Sequence, residues 1–207
     1  MKQPTIVIGF TGPKRAGKDT AAQTLRQCFA EFDEELYVGQ TAFAEPMYNM
    51  LKEFIGADTV NRLVNNDAKD TEIIEPFGCT LRHMAQTIGT EWARNCIHED
   101  AWIMSIQKTI ESATSQLPSD ADAAVVLIPD VRFENEAEFV RNNGLLIHIE
   151  RPNQQSDSHA SENGVEKQTD DLTITNDSDL ETFTAKVTDN GFNTIRQRIT
   201  ALIHASG

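Results

Sequence analysis

Residues 5–10 (TIVIGF) are a short apolar, β-branched run, and the stretch that follows, Gly12-Pro13-Lys14-Arg15-Ala16-Gly17-Lys18-Asp19-Thr20, combines two glycines with three cations. Apolar residues then recur at helical spacing over 19–32. A buried strand, a glycine loop and a helix in that order are the context a phosphate-binding loop requires. Gly12 and Gly17 permit backbone conformations and close approaches that a Cβ would obstruct. The loop N–H groups and the helix N-terminus then face an anion, and Lys18 supplies a point charge for it. The bland alternative is a glycine-rich turn that merely joins strand to helix. The register of all three elements weighs against it.

The residue after the loop lysine is usually Ser or Thr, whose hydroxyl binds Mg²⁺. Here it is Asp19, followed by Thr20. Either Asp19 binds the metal, directly or through water, or Thr20 supplies the hydroxyl. The sequence leaves both open.

A second continuous apolar run, residues 123–128 (AAVVLI), ends at Pro129-Asp130, with Arg132, Glu134 and Glu136 beyond. A carboxylate at the C-terminal end of a buried parallel strand lies where ligands bind in open α/β sheets. Asp130 can hold Mg²⁺ through water or orient an attacking phosphate oxygen, and Arg132 can grip a phosphate with a fork of donors. The competing reading makes Asp130 a helix N-cap and Arg132 a solvated charge.

The third constellation is Arg82-His83-Met84-Ala85-Gln86-Thr87-Ile88-Gly89-Thr90-Glu91-Trp92, with Trp102 ten residues on. Leu81, Met84, Ala85, Ile88 and Trp92 share one helical face, so Trp92 is expected to be buried. Arg82 and Trp102 are candidates for gripping a phosphate and walling a base, though pattern alone favours neither.

Between these landmarks a strand is expected over 36–43, helices over 45–55, 80–95, 101–113 and 135–142, and strands over 145–149 and 172–175. A closing helix runs over 180–203. Residues 65–78 read as a loop or short insertion, and 117–122 as a polar connection. Residues 152–170 are polar and nearly free of large apolar side chains. A loop that long in a compact domain is usually a lid or disordered. The alternation of strands and helices predicts an α/β fold with a parallel sheet covered by helices on both faces.

The 207 residues suffice for one domain with a mobile flap. A net charge of −14 opposes binding to a nucleic-acid polymer, which favours a basic face. No run approaches the roughly 20 apolar residues that span a bilayer. Three scattered cysteines without metal-like spacing suit reduced thiols, and the N-terminus lacks signal-peptide features, so a cytoplasmic location (the host's, if viral) is expected.

Together these elements resemble the deoxynucleoside monophosphate kinases of T-even-type phages. The resemblance lies in GPKRAGKDT with its unusual Lys-Asp-Thr, in LRHMAQTIGTEW, and in PDVRFENEAEFVRNNGLLIHIERP. It continues through SHASENG and DLTITNDSDLETF, and is weakest over 60–79, where this chain is shorter. It implies a single kinase domain over 1–207 of P-loop NTPase type, with substrate-binding helices over about 45–115 and a mobile lid over about 152–170. It also implies transfer of the γ-phosphoryl of ATP to a deoxynucleoside monophosphate. ATP and Mg²⁺ contacts fall on Arg15, Gly17, Lys18, Asp19 and Thr20. Monophosphate contacts fall on Lys14, Arg82, Gly89, Thr90, Trp102, Asp130, Arg132 and Glu136, with Lys18, Asp130 and Arg132 as the catalytic group. A homodimer is compatible with the resemblance. Rival readings are a dephospho-coenzyme A or phosphomevalonate type of kinase, and a nucleotide-binding switch without turnover.

Overall fold

The computed structural model describes residues 3–32, 36–115, 117, 121, 123–152 and 165–206. Along the chain lie β1 (Thr5–Thr11), α1 (Lys18–Phe32), β2 (Leu36–Gln40), α2 (Glu45–Ile55) and α3 (Ala57–Asn65). A small hairpin, β3 (Ile73–Ile74) and β4 (Cys79–Thr80), precedes α4 (Leu81–Gln86), which continues as a wider helix over Thr87–Ile97. Next come α5 (Ala101–Thr114), β5 (Ala123–Ile128), α6 (Glu134–Asn143), β6 (Gly144–Glu150) and β7 (Leu172–Thr175). The chain ends with α7 (Leu180–Lys186), a second wide helical stretch over Val187–Phe192, and α8 (Asn193–Ser206). These elements form two compact units, one of residues 1–42 with 109–207 and one of residues 43–108.

The first unit carries a five-stranded sheet in the order β2-β5-β1-β6-β7. Every pairing is parallel. The two apolar runs read from sequence are neighbours at its centre, with Gly9 opposite Ile128. Side chains alternate across a strand, so Ile6, Ile8 and Phe10 enter one core with Leu25 and Phe29 of α1 and Ile195 and Ile199 of α8. On the other face α6 lies against β1: a Cβ on Gly9 would stand 2.8 Å from Val131 and Val140. Only a residue without a side chain lets α6 approach that closely. Helices thus cover both faces, as the alternating pattern implies.

The second unit differs more from expectation. The stretch 65–78 is not a plain loop, because the β3–β4 hairpin crosses its end. α3 was not foreseen: its apolar positions are few, and it is anchored by buried Val60 and Leu63. The expectation for Trp92 fails as well, since this side chain is 46% exposed. The cause is helical pitch. From Thr87 onward the helix is wound with a five-residue repeat, so that His98 N–H donates to Ala93 O. Such winding shifts the inward face by one residue per turn. Ala93, five on from Ile88, is buried in place of Trp92.

In the first unit a charged cluster fastens the residues leading into β7. Asp171 accepts from Arg141 Nε at 3.0 Å and Nη2 at 2.8 Å, from His148 Nε2 at 2.9 Å, and from Gln168 N–H at 2.9 Å. Burial pushes the Asp171 carboxyl up, but these donors, Arg141 foremost, outweigh it and hold the group at about 2 against an ordinary 3.8. A depressed carboxyl stabilises the fold above its unfolded value and loses that contribution as pH falls through the folded one. Asp171→Asn is therefore expected to lower stability by about 2 kcal/mol at neutral pH. The gap to wild type should close between about pH 4 and pH 2, a trend that urea unfolding across pH measures directly.

Candidate active site

The loop between β1 and α1 has the backbone that its sequence suggests. Gly12 and Gly17 adopt φ of 138° and 106°, and Arg15 sits in the left-handed region at φ 61°. A Cβ on Gly12 would lie 2.2 Å from Ile149 O, and one on Gly17 would lie 2.8 Å from Asn176 Nδ2. Ala16 N–H closes a turn onto Pro13 O at 3.1 Å. Lys18 folds back over the loop, its ammonium donating to Gly12 O at 2.7 Å and Pro13 O at 2.8 Å. Asp19 and Thr20 occupy the first turn of α1, Asp19 exposed and Thr20 half-buried.

Asp130 and Arg132 follow the C-terminal end of β5, the strand beside β1. Val131 N–H donates to Phe10 O at 3.1 Å, which pins this turn next to the strand that feeds the loop. Asp130 and Arg132 are half-buried. Asp130 is not the N-cap of α6; that position belongs to Phe133. Glu136 is 2% exposed and accepts from the N–H groups of Arg132 and Phe133 at 2.8 and 3.2 Å. Its carboxylate therefore shapes the Asp130–Arg132 turn.

A pocket of ≈ 300 Å³ opens on the loop, lined by Arg15, Gly17, Asp19 and Thr20 together with Arg151, Asn176, Ser178, Leu180 and Phe183. The second set was not singled out residue by residue from sequence. Arg151 was visible as an isolated cation beyond a strand, and Asn176 to Leu180 lay within a recognisable motif. Two arginines beside a helix N-terminus, in a chain of net charge −14, suit a polyphosphate. Among the described residues no group of three or more His, Cys, Asp or Glu could hold a metal. A hard cation carried in with phosphates needs only one or two protein oxygens, and Asp19 and Thr20 are suitable donors.

Lys14 is half-buried in the loop of the first unit, whereas Arg82, Gly89, Thr90 and Trp102 belong to the second unit. Arg82 Nε donates to Asp70 Oδ1 at 2.6 Å, and both side chains are largely covered. Asp70 thereby orients the guanidinium, a partner that no sequence pattern singles out. Trp102 is 8% exposed, and its indole N–H donates to Gly89 O at 2.8 Å. It fixes the wide helical segment that carries Gly89 and Thr90, both half-buried. A Cβ on Gly89 would stand 3.0 Å from Met47 Sδ of α2. Of the expected lid, residues 153–164 lie outside the described residues, including His159 and Ser161. No helix among the described residues is long and apolar enough to cross a membrane.

Viral and phage proteins are similar to this chain in sequence. A putative deoxynucleotide monophosphate kinase of Acanthamoeba polyphaga mimivirus is 29% identical over 192 residues, covering 88% of this chain and 94% of the relative. The deoxynucleoside-5'-monophosphate kinase of Escherichia phage T5 is 33% identical over 93 residues, 41% of this chain and 34% of the relative. The deoxynucleotide monophosphate kinase of Enterobacteria phage T4 is 30% identical over 136 residues, 64% of this chain and 54% of the relative. The family model described as deoxynucleotide monophosphate kinase matches residues 25–187. With most of its length matched by that model, the chain belongs to the deoxynucleotide monophosphate kinase family.

Proposed function

We propose that this chain moves the γ-phosphoryl of ATP to the 5′-phosphate of a deoxynucleoside monophosphate, with donor and acceptor held by the residues named above. Membership of the family makes it a kinase that acts on deoxynucleoside monophosphates, and favours that reading over other small-metabolite kinases and over a switch without turnover. The observation that carries the assignment of parts is the pinning of the Asp130–Arg132 turn to Phe10 by Val131 N–H. It supports one centre with cations on two sides, as a reaction between two anions requires.

Phosphoryl transfer needs positioning and charge neutralisation more than covalent chemistry. Loop N–H groups and Lys18 bind the donor phosphates, and Arg15 and Arg151 line the same pocket. Arg132 and Lys14 bind the acceptor phosphate, and Asp130 orients its attacking oxygen. By the resemblance, Arg82, which Asp70 orients, and Gly89, Thr90 and Trp102 of the second unit are further contacts of the monophosphate. Mg²⁺ bound with ATP through Asp19 or Thr20 would neutralise charge on the β- and γ-oxygens. A cytoplasmic setting and a homodimer belong to the same proposal.

A panel of dGMP, dTMP, dCMP and dAMP, each incubated with ATP and Mg²⁺, tests the reading by diphosphate formation. At least one should be converted at an ordinary kinase rate of about 1–100 s⁻¹. Conversion of dephospho-coenzyme A or phosphomevalonate alone would reject it. Arg82→Ala should raise the acceptor KM by about tenfold or more and leave the ATP KM near wild type, which steady-state kinetics in both substrates resolves.

A further inference from the structure

Four carbonyls of the phosphate loop are occupied by side chains. Lys18 takes those of Gly12 and Pro13. Arg151 Nη1 donates to Arg15 O at 3.0 Å, and Asn176 Nδ2 donates to Ala16 O at 2.8 Å. The last two donors come from far along the chain, Arg151 just beyond β6 and Asn176 just beyond β7. Asn176 is itself held in place: it is 8% exposed, and its own N–H donates to Glu150 O at 2.7 Å.

In a planar trans peptide the C=O and N–H point in opposite directions. Holding Ala16 O therefore fixes the direction of Gly17 N–H, the donor at the mouth of α1 where an anion is best stabilised. Ala16 N–H is already spent on Pro13 O, and the Arg151 contact at Arg15 O supports that same turn. The glycine at 17 leaves the amide room, since any Cβ there would meet Asn176 Nδ2 at 2.8 Å.

We propose that Asn176 is a positioning residue for phosphoryl transfer, whose side-chain amide locks the Ala16–Gly17 peptide so that Gly17 N–H faces the donor phosphates before ATP arrives. The inference rests on the reading of this loop as the ATP phosphate site. Preorganised donors contribute to rate because they need no reorientation when charge develops.

Two substitutions separate this role from simple structural support. Asn176→Ala removes the donor, and kcat/KM for ATP should fall by about tenfold to a hundredfold with the acceptor KM within about twofold of wild type. Asn176→Asp is nearly isosteric but cannot donate while ionised. Burial and the facing Ala16 carbonyl push that carboxyl up, so its deficit should shrink relative to wild type as pH falls from about 8 to about 5.5 and the protonated acid regains a donor. A flat ratio across pH, or an aspartate variant equal to wild type, would overturn the proposal. Inhibition by inorganic tripolyphosphate supplies the second reading. A locked loop predicts that Asn176→Ala weakens tripolyphosphate and ATP by the same factor. Loss for ATP alone would make Asn176 a reader of the base and refute the lock. Lys18→Ala in the same assays keeps the two levels apart. If it stays active, the loop is not the donor site and this inference falls with that reading. If Lys18→Ala is dead while both Asn176 variants match wild type, only the inference fails.

Discussion

Lys18→Ala is expected to lower turnover by roughly two to three orders of magnitude while the protein remains folded. The lysine opens α1, and its ammonium is bonded to the carbonyls of Gly12 and Pro13. On the proposed mechanism, removing it deletes a point charge that binds the donor phosphates, and it also releases the loop's own closure. The first loss falls on the transition state, where charge is spreading over phosphoryl oxygens. The second costs about 1–2 kcal/mol of stability, or a few degrees in melting temperature for a chain of this size. The core of the sheet is untouched, so circular dichroism should be unchanged. Steady-state turnover with a saturating monophosphate, read beside a melting curve, decides the matter. Near-full activity in a folded variant would remove the loop from the mechanism.

Gly12→Ala should do the opposite, harming the fold and the activity together. Its φ of 138° is one that side-chain-bearing residues rarely adopt, and a Cβ would stand 2.2 Å from Ile149 O of β6. That carbonyl is backbone within a central strand and cannot swing aside. A cost of about 3 kcal/mol or more follows from strain and overlap combined. Gly78 provides the control, since its φ is 67° but a Cβ there meets nothing within 4 Å. Gly78→Ala should cost only about 1–2 kcal/mol, the ordinary left-handed penalty. Thermal unfolding of both variants tests the ordering. Equal destabilisation would mean that β6 does not constrain the loop as the geometry implies.

Much of the first unit was legible because its signals are local. Continuous apolar runs such as AAVVLI can be satisfied only by strands buried on both faces, and a glycine loop between strand and helix has few uses. The second unit was less legible. Its helices are amphipathic and ambiguous, and the assignment of Trp92 to the core assumed a constant helical pitch. The wider winding after Gln86 turned Trp92 toward solvent and buried Ala93 in its place. Pitch changes of this kind depend on packing, and no residue pattern announces them.

The sequence by itself determined the glycine loop between strand and helix, the parallel sheet and the acidic strand end, because each follows from spacing and side-chain type within a few residues. Through the resemblance it also pointed to the kinase family. Only the tertiary structure decided what holds those parts in working geometry. Asn176 stands 160 positions from the Ala16 carbonyl that it holds, Arg151 stands 136 from Arg15, and Asp171 gathers Arg141 and His148 at separations of 30 and 23. Hydrogen bonds between such distant positions exist only after strand order has been set, and strand order follows from how the whole chain buries its apolar surface. The loop could be read in nine residues, whereas the partners that aim it required the sheet.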